Sequence, residues 1–218
     1  MAAIPWFKKG GFIVKSKCLM QSIIALALCA FATTALAGGG HNSLNNGVKA
    51  VPVFGKMSGE VTFIPFLPQF PGDTGPCEGY NVLQDPVTGD IIPGSSIQTL
   101  STTKGQLARI GRLTLDTTHC AQFTSDGNSE AKAGTAAFMT KTGDMLYGTY
   151  EAVPLSPPVV PIGGLIIQEG VTEIIGGTGI FAGASGKLAF RVYVVFEGFD
   201  DWAWPLEYVI SGLIHVPE

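Results

Sequence analysis

The side chains that could do chemistry in this 218-residue chain are few and far apart in sequence. The three histidines are His41, His119 and His215, and no GxSxG elbow accompanies them, so serine hydrolysis is not indicated. His119 shares the parity of inward leucines on a predicted strand. A lone inward histidine is more often hydrogen-bonded in the interior than catalytic. The sequence therefore assigns no catalytic residue.

Metal and cofactor sites are not indicated either. Asp126, Asn128 and Glu130 alternate as oxygen ligands that could suit calcium, but the rest of a calcium-loop pattern is missing and a polar turn is favoured. Neither Cys77 nor Cys120 has a partner at CxxC spacing, which argues against zinc. We therefore expect no metal and no cofactor.

The most distinctive candidate site is the segment 199–205, with the sequence FDDWAWP. At a barrel mouth, Trp202 and Trp204 could stack on a small ligand while Asp200 and Asp201 orient it. The alternative is that one of the tryptophans plugs the barrel end as core, because small barrels are usually filled by side chains. Two further polar residues complete the candidate ligand-binding set: Tyr193 and Glu207.

The N-terminal segment 1–37 reads as a signal peptide. Its only charges are lysines, an apolar run covers residues 18–37, and Ala35 and Ala37 stand where a signal peptidase needs small residues. Gln21 and Thr33, near the two ends of the run, make it a poor membrane anchor, which is the alternative. Cleavage would remove four lysines and no acid, and would change the formal net charge from −4 to −8.

This acidic balance argues against a nucleic-acid partner and against docking on an anionic membrane after cleavage. We expect a secreted or periplasmic protein. Two of the four cysteines, Cys18 and Cys29, would leave with the leader. The remaining pair, Cys77 and Cys120, predicts one disulfide in an exported chain, with two unpaired thiols as the alternative.

The elements that must position these residues read as strands. The chain has 29 glycines and 14 prolines between short alternating runs, and no helical pattern of spacing three and four appears. The predicted strand regions are 59–64, 105–123 with a bend or bulge at Gly111, 131–140 and 145–152 around a turn at 141–144, 165–175, 186–196 and 206–216. Residues 38–50 are predicted to be a flexible tail and residues 51–218 a single barrel domain.

The glycines of residues 176–186, GGTGIFAGASG, resemble a phosphate-cradling loop, but no lysine follows at P-loop spacing and the pattern predicts a strand, not a helix, after them. The segment instead resembles the GGTGxFxGAxG signature of allene-oxide-cyclase-like and dirigent-like barrels. In-order similarity extends over roughly residues 105–216. The matching residues are Gly176, Gly177, Thr178, Gly179, Phe181, Gly183, Ala184 and Gly186.

The resemblance implies an all-β fold, a closed antiparallel eight-stranded barrel that is calycin-like in shape. From strand count and alternation alone, a β-sandwich is the alternative. The glycine signature is structural in that family, with Phe181 expected to pack into the core. No catalytic residue of the cyclases or dirigent proteins matches this chain residue by residue, so the resemblance carries a fold and no activity.

Two functional hypotheses follow. The first is a non-enzymatic secreted barrel that binds a small apolar or aromatic ligand, or serves as a surface module. The second is an isomerase, cyclase or dirigent-like protein that acts by positioning a substrate in the barrel. An outer-membrane barrel is disfavoured, because Arg112, Asp116 and Thr118 would have to face lipid. The sequence leaves the oligomeric state open.

Overall fold

The structure is a computed structural model that describes residues 47–70, 73, 75–80, 88, 90, 92–123, 129–157, 160–198 and 203–218. The predicted signal peptide and residues 38–46 lie outside the described residues, so both stay predictions. Within the described part of the chain, no helix is long and apolar enough to cross a membrane.

Eight strands form one closed antiparallel barrel in which each strand pairs with its neighbours in sequence and β1 pairs with β8. This confirms the predicted all-β barrel, and closure excludes the two-sheet sandwich. The strands are β1 (Val48–Phe66), β2 (Ser96–Leu107), β3 (Gly111–Phe123), β4 (Ser129–Thr140), β5 (Met145–Pro154), β6 (Leu165–Gly177), β7 (Ser185–Val195) and β8 (Ala203–Pro217).

The run 105–123, predicted as one strand with a bend, is instead the end of β2, a turn and β3. Arg109 and Gly111 take positive φ angles of 70° and 102°, and Leu107 pairs with Gly111 across the turn. Because the turn has three residues, odd-numbered residues face inward on both sides of it. The alternation of Leu107, Leu113 and Leu115 therefore reads through the turn without a break.

Two other strands differ in length from the expectation. β1 has 19 residues and begins at Val48, so residues 48–50 of the predicted tail 38–50 belong to this strand, which pairs with β8 from Val48 to Thr62. The strand region predicted there covered only residues 59–64. Most of β2 escaped the pattern, because its inward side chains include Thr99, Ser101 and Thr103, which are buried although polar. A search for alternating hydrophobic residues does not detect such a strand.

Two predicted local features are confirmed. The β4–β5 hairpin turns at residues 141–144, where Gly143 supplies a positive φ of 87°. After β6, a short 3₁₀ turn at Gly179–Phe181 leads into β7, and Phe181 is buried in the core. No phosphate-binding helix follows the glycine segment among these described residues.

The predicted disulfide is confirmed. Cys77 and Cys120 are bonded, with their Cα atoms 5.5 Å apart and a sequence separation of 43. The bond ties the connection between β1 and β2 to β3. By the loop-entropy model, such a closure contributes about 3–4 kcal/mol to the free energy of unfolding.

Inward side chains from all eight strands fill the barrel. The largest apolar side chains that are fully shielded from solvent are Met57, Leu107, Leu115, Leu146, Leu188, Leu206 and Ile214. These come from β1, β2, β3, β5, β7 and β8, so the core extends across the barrel from wall to wall.

Candidate functional site

The barrel has two distinct ends. At the disulfide end, β1 stops at Phe66, β2 begins at Ser96, and Cys120 on β3 carries the disulfide. At the opposite end, called here the glycine-motif end, β6 leads through residues 176–186 into β7. β7 ends and β8 begins at the disulfide end, so residues 203–205 of the predicted site segment lie there as the start of β8.

Trp204 lies in the barrel wall at the disulfide end with its ring turned inward and 4% exposed. Its Nε1–H donates to the carbonyl oxygen of Gly198 at 3.0 Å. The ring centroid lies 4.3 Å from that of Phe63 and 5.0 Å from that of Phe196. Phe63, Phe196 and Trp204 form what we call the aromatic cluster. Trp204 thus plugs the barrel end, as the alternative interpretation held.

The rest of the predicted ligand set is not brought to this cluster. Asp200, Asp201 and Trp202 lie outside the described residues. Tyr193 and Glu207 pair across β7 and β8 in positions between buried inward residues, so both face the outer wall. Glu207 accepts a 2.9 Å hydrogen bond from Nζ of Lys56 there. The cluster and the Tyr193–Glu207 pair therefore present different faces.

A polar group inside the barrel escaped assignment from the sequence. His119 on β3 and Tyr150 on β5 share a 2.8 Å hydrogen bond between Nδ1 and the phenolic oxygen. Opposite His119, a β-bulge in β4 interrupts the β3–β4 pairing between Thr118 and Cys120. The prediction that His119 is inward and hydrogen-bonded is confirmed. Alternation places Tyr150 on the same inward face of its strand as Leu146. It does not show which strand Tyr150 meets across the barrel, so the contact with His119 could not be predicted.

Aromatic rings continue from this pair across the barrel. Tyr150 packs edge-to-face on Phe190, with centroids 5.3 Å apart, and Phe190 packs on Tyr208 at 5.8 Å. The Tyr208 hydroxyl lies 3.4 Å from Oγ1 of Thr117, which in turn lies 2.6 Å from Oγ of Ser101. We call this series of contacting side chains the interior belt. It consists of Ser101, Thr117, His119, Tyr150, Phe190 and Tyr208.

Four residues of the belt line a small cavity of about 10 Å³. That is roughly the volume a single water molecule needs, and the hydroxyls at its edge are the partners such a water would use. An organic ligand does not fit in this space. The lining residues are Leu115, Thr117, Ala136, Phe138, Tyr150, Thr172, Phe190, Tyr208 and Ile210.

Burial keeps the ionisable groups of the belt neutral. It lowers the pKa of His119 to about 4, so the imidazole is uncharged at neutral pH. Burial also raises the pKa of Tyr150 and that of Tyr208, while hydrogen bonds from Thr117 act in the opposite direction. The His119–Tyr150 pair could exchange a proton with a substrate only if that substrate reached the interior of the barrel.

The candidate calcium ligands are only partly described. Asp126 and Asn128 lie outside the described residues, whereas Glu130 forms a 3.1 Å ion pair with Lys132. Within the described ranges, no group of three or more histidine, cysteine, aspartate or glutamate side chains could hold a metal ion.

Comparison with known proteins gives likeness to solved structures only. No protein-family model and no curated protein matches the chain. The chain is similar to the structure of a pterocarpan synthase dirigent protein, with a TM-score of 0.40 and 14% identity. The match covers 78% of this chain and 92% of that one. At this level of similarity, no activity transfers from one protein to the other.

Proposed function

We propose that this protein is an exported, non-enzymatic β-barrel that binds a small apolar or aromatic molecule at its disulfide end. The observation that carries the proposal is the aromatic cluster. Phe63 and Phe196 are only half-buried although they pack against the buried ring of Trp204. The partial exposure of these two side chains leaves apolar surface at the barrel end, against which an aromatic or aliphatic molecule can pack.

The packing of the barrel favours binding at the mouth over binding inside. The cavity lined by belt residues is about 10 Å³, far below the several hundred cubic ångströms of a typical ligand pocket. Asp200, Asp201 and Trp202 precede Trp204 by two to four positions in the sequence. These three residues remain candidates to cover a molecule held on the cluster.

Export is supported by the predicted signal peptide and by the Cys77–Cys120 disulfide, which is compatible with an extracellular or periplasmic protein. After cleavage of the leader, the acidic chain is a poor ligand for nucleic acid or for an anionic membrane surface. A small neutral or apolar molecule is therefore the partner we propose.

Titration with N-phenyl-1-naphthylamine, a neutral fluorescent probe, tests the proposal. In a Trp202→Phe variant, we expect saturable binding that quenches the fluorescence of Trp204. Phe196→Ala should weaken binding roughly tenfold, because a stacking face is lost. Phe54→Ala is the matched control, since Phe54 is exposed on the outer wall far from the cluster. Binding that is absent, or that Phe54→Ala weakens equally, would contradict the proposal.

A second candidate is an isomerase or dirigent-like activity by substrate positioning, and the His119–Tyr150 hydrogen bond is the observation that favours it. It requires the barrel to open, because the cavity holds only about one water. Incubation with a lipid and phenolic panel, followed by chiral chromatography and mass spectrometry, would detect isomerised products. Turnover that disappears in Tyr150→Phe, while dye binding persists, would establish this function in place of the first.

A further inference from the structure

The first residues of β1 form a sheet edge. β1 pairs with β8 from Val48 onward, but its pairing with β2 begins only at Gly55. The carbonyl oxygen of Phe54 still accepts a 2.8 Å hydrogen bond from the N–H of Ala108. Before Phe54, no described strand lies on that side. We call residues 48–53 the β1 edge.

Backbone direction alternates along a strand, so the groups that point outward from the edge can be identified. The carbonyl of Phe54 points to the β2 side, whereas the carbonyl of Gly47 points to β8 and accepts from the N–H of Glu218. Even-numbered residues therefore face the open side. Val48 and Ala50 each offer an N–H and a carbonyl there, and Pro52 offers a carbonyl only.

The β1 edge is held in place by its inner face. Val53 is 1% exposed, and Val51 packs half-buried against the core. The outer side chains of Val48, Ala50 and Pro52 are exposed. The segment is thus an ordered strand with one open side, which is the form of edge that accepts another strand.

We propose that the β1 edge binds the β1 edge of a second copy of this chain, antiparallel and about a two-fold axis at Ala50. In this register, the two Ala50 residues exchange a pair of hydrogen bonds, and the N–H of each Val48 donates to the carbonyl of the partner's Pro52. All open donors are then used. The carbonyl of each Val48 lies opposite the partner's Pro52, which has no N–H to donate. Such an isologous contact is the usual geometry of homodimers.

The neighbouring registers are poorer. An axis at Lys49 places the two Lys49 side chains directly opposite each other, and like charges in that position repel. An axis at Pro52 brings two prolines together without a donor. An axis at Val51 leaves Val48 facing Phe54, whose carbonyl already accepts from Ala108. The contact is short, so the dimer should dissociate on dilution.

Cysteine cross-linking tests the register on the protein in the form that accumulates after expression. In the proposed dimer, the Ala50 Cα atoms lie about 5.5 Å apart, within disulfide reach. Mild oxidation of Ala50→Cys should therefore give a covalent dimer. Phe54→Cys is the control: it is also exposed on the outer face, but the two copies would lie about 27 Å apart along the strands. Equal cross-linking of both variants, or none of Ala50→Cys, would overturn the proposal.

Backbone variants test the hydrogen bonds. Ala50→Pro removes the central donors and should raise the dimer dissociation constant roughly tenfold or more, whereas Pro52→Ala adds donors and should lower it by a similar factor. Sedimentation velocity over a concentration series measures both. Unchanged circular dichroism and melting would show that each variant folds. A dimer insensitive to both changes, or a monomer at every concentration, would overturn the proposal.

Discussion

In the interior belt, burial decides how much a single hydrogen bond contributes to the stability of the fold. His119 lies in β3 opposite a bulge in β4, and within the described residues its Nδ1 atom shares a hydrogen bond with the Tyr150 hydroxyl. Removing a buried partner costs more than the net value of one hydrogen bond, because the remaining group stays desolvated. The pair is therefore first a stability element, whatever chemistry it could also do.

Tyr150→Phe is expected to lower the free energy of unfolding by about 1–3 kcal/mol, because Nδ1 of His119 loses its partner in a desolvated site. Urea denaturation with the disulfide intact measures the change. Tyr147→Phe is the matched control, since Tyr147 is 41% exposed on the same strand, and we expect a change within about 0.5 kcal/mol. Equal effects would show that the His119 bond adds nothing.

The pH dependence of stability follows from the lowered pKa of His119. In the unfolded chain His119 titrates near 6.5 and in the folded barrel at about 4. Below pH 6.5 the unfolded state binds the proton and the folded state does not, so stability is full above pH 6.5 and falls as the pH drops toward 4. We expect a loss of up to about 3 kcal/mol by pH 4. His119→Gln should lack this component; identical urea midpoints for both proteins across pH 7–4 would contradict it.

At the scale of elements, the glycine motif, residues 176–186, connects β6 to β7 and packs closely against β8. Gly186 adopts a φ of 143° and pairs with Ile214, and a Cβ there would lie 2.8 Å from the Ile214 Cα. Backbone cannot move aside as a side-chain tip can. The requirement for glycine is therefore steric as well as conformational at this position.

Gly186→Ala tests that requirement. Gly143 also has a positive φ, but open space surrounds it, so Gly143→Ala carries the conformational cost alone. We expect Gly186→Ala to lower the free energy of unfolding by about 1–3 kcal/mol more than Gly143→Ala, because of the added clash. Chemical denaturation of both variants gives the comparison. A difference near zero would show that β8 yields to the added methyl group.

At the scale of the whole molecule, the barrel is closed by the β1–β8 ladder and fastened by the Cys77–Cys120 disulfide. The bond constrains the unfolded chain more than it shapes the folded one. Replacing both cysteines by serine should lower the free energy of unfolding by about 2–4 kcal/mol. Guanidinium denaturation of the unreduced protein and the variant measures this, and a reductant should leave the variant unchanged. A loss smaller than about 1 kcal/mol would mean that the unfolded chain is little constrained by the bond.

Much of the wall was predictable from the sequence alone. Period-two alternation located most of β3 and β7, Gly143 marked the hairpin, and Phe181 was correctly expected in the core. Such patterns are local, because successive side chains of a strand point to opposite faces. The β2 strand was largely missed for the same reason: its inward Thr99, Ser101 and Thr103 look exposed until the neighbouring strands cover them.

Tertiary structure alone decided which faces meet. His119 and Tyr150 are 31 residues apart, Thr117 and Tyr208 are 91 apart, and the open β1 edge exists because β2 ends at Leu107, opposite Gly55. Alternation fixes the face a side chain takes but not its partner strand or register. The sequence by itself determined strands, a turn and a candidate cysteine pair. Closure of the barrel decided that its interior is full and that Trp204 is a plug, because only closure brings all eight inward faces together.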